Sequence, residues 1–267
     1  MRPLAALLLL AAAPGLAQDG RPPALRDLGF DQKLGEPLPL DVSLRDESGT
    51  PVRLGDYFGE KPVVLTMVYY ECPMLCTLTL NGLSGAMDVL RFDAGAEYEV
   101  VTVSFDHRET PELARAKKAA YVERYGRSGA EQGWHFLTGD EAELRRLTDA
   151  LGFRYAWDEE TQQFAHPAGI VVATPDGTIA RYLYGIEYAP KDLRLALVEA
   201  SEGRVGSAVD QVLLFCYRYD PATGRYGAVA LNLVRAGGVL TVLALLAFWA
   251  VMWRRDHPRP AETPPGP

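Results

Sequence analysis

Positive charge is scarce in this sequence. Its 267 residues include 27 Lys and Arg against 35 Asp and Glu, a formal net charge of −8, and no block rich in Lys or Arg stands out. Because phosphate neutralisation needs concentrated positive charge, this balance argues against nucleic acid as a partner. An acidic domain would instead attract basic partners and repel anionic substrates.

Cysteine and histidine are also few, with three and four residues. Three cysteines do not make a small disulfide scaffold. A hydrophobic content of 48% excludes a disordered chain and supplies enough apolar material for one sizeable core. No internal repeat or low-complexity segment is visible in the sequence.

The N-terminal residues 1–17 carry one early arginine, an apolar stretch from Leu4 to Ala13 and an ending of small residues. This pattern predicts a cleavable signal peptide. The apolar stretch is too short to span a bilayer. Residues 18–29 then predict a short linker.

Near the other end, residues 236–253 form a run without any charge. At about 1.5 Å of rise per residue the run makes about 27 Å of helix, which is long enough to cross a membrane. Arg254 and Arg255 follow directly. The positive-inside rule therefore predicts a cytoplasmic tail at 254–267 and a main domain on the extracytoplasmic, periplasmic side of the cytoplasmic membrane. Residues 204–227 then predict a juxtamembrane segment between that domain and the membrane.

Between these ends, residues 30–203 alternate predicted strands with predicted helices. The continuous apolar runs Val63–Tyr70 and Tyr98–Phe105 are typical of strands buried on both faces. The pattern predicts an α/β domain with a central mixed sheet flanked by helices. Functional groups in such sheets lie beyond the carboxyl ends of the parallel strands, which directs attention to Cys72, Cys76 and His107.

Cys72 and Cys76 lie four residues apart, with Pro73 directly after the first. Proline favours the first helical position, which predicts Cys72 at the N-cap and Cys76 one turn into the helix. Two sulfurs at this spacing can share one metal ion, or with local adjustment form a disulfide. In an oxidising compartment a simple stapling disulfide is the plainer alternative.

A third donor changes this balance. His166 precedes the last predicted hairpin, and an imidazole with two thiolates forms a soft three-coordinate site suited to Cu(I). Taken alone, His166 is better explained as a hydrogen-bonded loop residue, because most histidines carry no metal. Met74 offers a thioether or a surface side chain, and His107 reads as a solvated loop histidine that can approach the site from its strand end. Cys216 reads as a buried, inert thiol, with resolving cysteine or auxiliary copper ligand as alternatives.

Several runs together resemble the Sco/SenC family of membrane-tethered, thioredoxin-like copper proteins: VVLTMVYYECPMLCTLTLNGL, VTVSFD with ETPELA, WHFLTGD, and AHPAGIVVATPDGTIARYLYGI. The resemblance implies copper, as Cu(I) or Cu(II), bound by Cys72, Cys76 and His166. It implies a metallochaperone for the binuclear copper site of cytochrome c oxidase subunit II or another copper protein. The alternative is a thiol-disulfide oxidoreductase that uses Cys72 and Cys76 to reduce the cysteines of that site. Two features depart from the family pattern. Family members often carry an acid where this chain has Ala165. Their usual anchor is N-terminal, whereas the anchor predicted here is C-terminal.

Overall fold

The computed structural model describes residues 28–205, 219–220, 225–226 and 228–256. They belong to two compact units, the main domain and a C-terminal unit, which are described separately. The predicted signal peptide, most of the predicted linker and Cys216 lie outside the described residues.

Among its described residues, the main domain contains eleven strands, five α-helices and one 3-10 helix at Leu54–Tyr57. The strands are β1 (Gly29–Phe30), β2 (Ser43–Arg45), β3 (Pro51–Arg53), β4 (Val63–Val68), β5 (Glu99–Ser104), β6 (Trp134–Leu137), β7 (Phe153–Arg154), β8 (Ala156–Asp158), β9 (Gln163–Ala165), β10 (Gly169–Ala173) and β11 (Ile179–Tyr184). The helices are α1 (Leu75–Asp88), α2 (Pro111–Tyr125), α3 (Ala130–Gly133), α4 (Glu141–Ala150) and α5 (Pro190–Ser201).

The central sheet has five strands in the order β11-β10-β4-β5-β6. Strands β4, β5 and β6 are parallel, while β10 is antiparallel to β4 and β11 to β10. Every residue of β4 and of β10 is buried, as expected for apolar strands covered on both faces. The predicted mixed sheet is therefore confirmed.

Strand direction brings three loops to one edge of this sheet. Because β4 and β5 are parallel, both end at the same edge. Strand β10 pairs antiparallel with β4, with Val171 opposite Leu65, so β10 begins at the edge where β4 ends. The residues after β4, after β5 and before β10 are thus neighbours, although they are far apart in the sequence.

Helix α1 packs against both α2 and α5, while α2 lies on β6 and α5 on β10 and β11. A glycine permits one of these contacts. A Cβ atom at Gly82 of α1 would lie 1.9 Å from the carbonyl oxygen of Ile186, in the loop before α5. The absence of a side chain at Gly82 therefore sets how closely α1 approaches that loop.

The C-terminal unit contains two short strands, β12 (Tyr219–Asp220) and β13 (Arg225–Tyr226), and the long helix α6 (Ala228–Asp256). Within α6 the segment Arg235–Trp253 has a mean hydropathy of 2.0 and is long and apolar enough to cross a membrane. Trp249 and Trp253 stack at 6.1 Å between ring centroids. This segment agrees with the span predicted for residues 236–253.

Candidate metal centre

The first cysteine lies in a turn between β4 and α1. The amide of Cys72 donates to the carbonyl of Tyr69 at 3.2 Å, which closes the turn. Helix α1 then begins at Leu75, with Met74 as its N-cap. The prediction of Cys72 at the N-cap and Pro73 at N1 is therefore wrong, because the turn takes up Cys72 and Met74 is non-helical at φ −143° and ψ −67°.

Cys72 nevertheless caps the helix through its side chain. Its Sγ accepts a hydrogen bond from the amide of Cys76 at 3.3 Å. That amide belongs to the first turn of α1, where backbone N–H groups have no carbonyl partner within the helix. The sulfur of Cys76 in turn accepts from the amide of Tyr69 at 3.3 Å. Two backbone donors thus hold the two sulfurs in place.

His166 approaches the two sulfurs from the loop before β10. It follows the hairpin of β8 and β9 and precedes β10. Its Nε2 lies 3.4 Å from Sγ of Cys76, and its Nδ1 lies 2.9 Å from the carbonyl oxygen of Pro167. Because a carbonyl only accepts, Nδ1 carries the proton and Nε2 of the neutral ring presents a lone pair. The Pro167 carbonyl thus orients the imidazole although residue 165 is alanine.

The three donor atoms, one each from Cys72, Cys76 and His166, all lie within 4.8 Å of one another. The geometry therefore brings together the three residues predicted from the sequence. The set offers two sulfurs and one nitrogen, which suits a soft metal ion in three-coordination. Zinc in proteins is almost always four-coordinate.

Aromatic rings surround the imidazole. The rings of Phe105, Tyr69 and Phe153 lie 5.3, 5.8 and 6.2 Å from that of His166, measured between centroids. Cys76 is 2% exposed and Cys72 is 7% exposed. The site is therefore largely screened from water on the Cys76 side.

The two sulfurs differ in protonation. A hydrogen bond from the Cys76 side chain lowers the pKa of Cys72 well below its ordinary value. Burial raises the pKa of Cys76 well above its ordinary value. Cys72 is therefore the thiolate of the pair and Cys76 the thiol. A thiolate is the form that binds metals and attacks disulfides.

A buried carboxylate supports the turn before Cys72. Glu109 accepts hydrogen bonds from the amides of Tyr70 and Glu71, both at 2.7 Å, and from the hydroxyl of Ser104 at 2.5 Å. Burial raises the pKa of this carboxyl. Sequence reasoning assigned Glu109 no role. Its position just after β5, at the edge where the site was expected, is the signal that could have found it.

A neighbouring cation secures the hairpin that leads to His166. Arg108 donates to Asp106 through Nε at 2.8 Å and through Nη2 at 2.7 Å. Its guanidinium lies 4.8 Å from the ring centroid of Trp157 in β8 and 5.3 Å from that of Phe164 in β9. Sequence reasoning also missed this contact, since no local pattern indicates it.

Two open cavities adjoin the metal centre. One, of about 240 Å³, is lined by Cys72, His166 and Met74 together with neighbouring residues. The other, of about 550 Å³, is lined by Tyr69, Arg108 and Trp157 among others. The cleft beside the sulfurs is thus open to solvent on the Cys72 side.

The other candidate residues are not among the three clustered donors. His107 is exposed in the loop after β5. His135 lies on β6, where its Nε2 is 3.3 Å from Glu99, the residue that begins β5 at the opposite edge of the sheet. Met74 is 66% exposed.

Fold and donor set together define a class: a thioredoxin-like domain that brings two cysteines and a histidine to one edge of its sheet. The model of the SCO1/SenC family matches residues 32–199. The chain belongs to the SCO1/SenC family. The comparison with curated proteins found no match.

Solved structures are similar to 63–64% of this chain. A candidate electron transfer protein from Aquifex aeolicus VF5 is 29% identical with a TM-score of 0.56, covering 64% of this chain and 96% of that one. A SCO1/SenC family lipoprotein from Bacillus anthracis is 16% identical with a TM-score of 0.50, covering 63% and 99%. Arabidopsis thaliana ScoI with copper bound is 20% identical with a TM-score of 0.49, covering 64% and 99%.

Proposed function

We propose that this chain binds copper through Cys72, Cys76 and His166 and delivers it to the binuclear copper site of cytochrome c oxidase subunit II. The observation that carries the proposal is the convergence of three soft donor atoms within 4.8 Å. Two sulfurs and an imidazole suit Cu(I), and Cu(II) also accepts imidazole. Membership of the SCO1/SenC family supports copper as the ion.

Each residue has a distinct task in this function. The Cys72 thiolate provides the negative charge that first attracts the ion. Nε2 of His166 presents its lone pair because Nδ1 is engaged by the Pro167 carbonyl. Cys76 closes the site from the buried side. Because Cys72 and His166 line an open cavity and Cys76 lies deeper, ligands of a receiving protein approach from the Cys72 side.

The pair of cysteines also favours a second function, thiol-disulfide exchange. A thiolate at Cys72 beside a thiol at Cys76 is the arrangement that such exchange needs. Cys72 would attack a partner disulfide and form a mixed disulfide, which Cys76 would resolve. The partner would leave with two thiols, and its two-electron reduction would be balanced by a Cys72–Cys76 disulfide.

We also propose that the Arg235–Trp253 segment anchors the chain in the cytoplasmic membrane. Its length and apolar composition support a single span. Arg254 and Arg255 favour a cytoplasmic tail at residues 254–267, which would leave the main domain on the periplasmic side. A signal peptide at residues 1–17 is consistent with that orientation.

The decisive test is the Cu(I) content of the full chain, purified in detergent and loaded without oxygen, beside the variants Cys72→Ala and Cys76→Ala. We expect one tightly held Cu(I) in the wild type and its loss in both variants. Stoichiometric copper in Cys72→Ala would refute the proposed site. Transfer of the bound copper to the isolated soluble domain of oxidase subunit II tests delivery.

A further inference from the structure

A cavity beside Cys72 gives access to the metal centre. Cys76 is 2% exposed, whereas the cavity of about 240 Å³ is lined by Cys72 and His166. Within the part of the chain that the structure describes, this cavity offers an ion a path to the centre. Any further donor atom on its wall would meet the ion outside the three-ligand set.

Met74 supplies such a donor. Met74 lines the same cavity, and the residue is 66% exposed. The other two methionines of the main domain differ in this respect, because Met67 and Met87 are only 4% and 0% exposed. As the N-cap of α1, between the two cysteines, Met74 does not pack into the core face of that helix.

The chemistry of a thioether fits a transient ligand. It is soft and therefore favours Cu(I), and it carries no charge. A neutral sulfur holds the ion less firmly than a thiolate does. A transient ligand needs this weaker binding, because it has to release the ion again. An isolated exposed apolar residue would need no explanation. Met74, however, lines the same cavity as Cys72 and His166, two donors of the metal centre.

We propose that the Met74 thioether, together with the Cys72 sulfur, forms an outer binding site for Cu(I) through which the ion enters and leaves the inner site. The inference rests on the proposed function, since it concerns the passage of copper to the same centre. On entry, the bond from copper to the Met74 sulfur is replaced by bonds to Cys76 and His166. Any proton on the Cys76 sulfur passes to solvent when copper binds there, and copper stays Cu(I) throughout. Release reverses these steps.

Transfer kinetics test the proposal. The full chain in detergent is loaded with one Cu(I), and its transfer to a chromogenic Cu(I) chelator in excess is followed by stopped flow. In Met74→Leu, which keeps an apolar side chain but removes the sulfur, we expect transfer about tenfold slower. The equilibrium affinity, which depends on the inner ligands, should stay within about threefold of the wild type.

Two further variants distinguish the effect of the Met74 sulfur on the transfer rate from the effect of exposed apolar surface. Met74→Gln also lacks the thioether and should slow transfer as Met74→Leu does. Leu78→Gln removes the exposed apolar side chain one turn along α1, 39% exposed, and should transfer copper as the wild type does. Wild-type rates in Met74→Leu, whatever the result with Met74→Gln, would overturn the proposal.

A spectroscopic readout locates the ion directly. In Cys76→Ser protein the inner site is incomplete, so one added Cu(I) should shift the carbon-13-labelled methyl resonance of Met74. The methyls of Met67 and Met87 serve as internal controls and should not move. An unmoved Met74 methyl in protein that holds copper overturns the outer site. A wild-type chain that binds no Cu(I) overturns the proposed function itself, which is a different outcome.

Discussion

Nε2 of His166 lies 3.4 Å from Sγ of Cys76, although the two residues are ninety positions apart in the chain. The contact depends on β10 running antiparallel to β4, which returns the chain to the edge that β4 left. His166 is therefore part of the centre only in the folded domain. Copper binding would use this imidazole as a ligand, whereas disulfide exchange would need only the two sulfurs.

Replacing His166 by alanine separates metal delivery from disulfide exchange. Loss of a residue that merely supports a metal ligand costs about 10- to 100-fold in affinity, so loss of the ligand itself should cost at least about tenfold. Disulfide exchange needs the two sulfurs and should persist. The measurements are Cu(I) affinity by chelator competition and the rate of reduction of a disulfide substrate.

His107→Ala is the matched control, because His107 is exposed and is not one of the three clustered donors. It should leave both measurements within about twofold of the wild type. Undiminished copper affinity in His166→Ala would remove the imidazole from the ligand set. It would leave thiol-disulfide exchange as the favoured function.

Arg108 should act on the centre through the hairpin of β8 and β9. Its contacts with Trp157 and Phe164 are worth about 0.5–1 kcal/mol at an exposed site. In Arg108→Gln we expect faster amide hydrogen exchange in that hairpin and a Cu(I) affinity about two- to fivefold lower. Arg194→Gln, at an exposed position of α5, should change neither quantity. Unaltered exchange in Arg108→Gln would show that the hairpin is held without it.

Sequence patterns predicted those parts of the site that depend on residues close together in the chain. The continuous apolar run that begins at Val63 indicates a buried strand, and the position of Cys72 after its end indicates the functional edge. The hairpin of β8 and β9 was missed because its strands have only three residues each and surround a polar turn. Glu109 and Arg108 could not be assigned, since their partners are backbone amides and aromatic faces that only the fold brings near.

Two glycines of helix α1 should respond oppositely to the same substitution. At Gly82 a Cβ atom would lie 1.9 Å from the Ile186 carbonyl oxygen, whereas at Gly85 it would meet nothing within 4 Å. Gly82→Ala should therefore lower the free energy of unfolding by about 1–3 kcal/mol. Gly85→Ala should raise it by about 0.5–1 kcal/mol, because alanine favours the helix. Chemical denaturation of both variants tests this, and equal effects would contradict the close approach.

The C-terminal helix offers a test of anchoring. A lysine near the centre of a membrane span costs about 2.5–3.5 kcal/mol. A double variant with Leu243→Lys and Leu246→Lys should therefore lose most of its resistance to alkaline extraction from membranes. The isoleucine pair at the same positions is the control and should remain bound. Retention of the lysine variant would argue against a span at Arg235–Trp253.

Glu99 should make the stability of the main domain depend on acid pH. Burial alone would raise its pKa, but hydrogen bonds from His135 and Lys61 outweigh burial and hold the pKa below its ordinary 4.5. Lys61 Nζ lies 2.8 Å from this carboxylate and His135 Nε2 lies 3.3 Å from it. A carboxyl whose pKa is lower in the folded than in the unfolded state stabilises the fold above its unfolded pKa. That stabilisation is lost as the pH falls through the folded value.

Glu99→Gln should consequently be less stable than the wild type near neutral pH, and the difference should shrink as the pH falls below about 4.5. The measurement is the free energy of unfolding by denaturant at pH values from 7 down to 3. Glu123→Gln, at an exposed position of α2, should show a difference that is small at every pH. Because Glu99 lies at the edge of the sheet away from the sulfurs, copper affinity at neutral pH should be unchanged. A difference that grows toward low pH would mean that the carboxyl is destabilising in the folded domain.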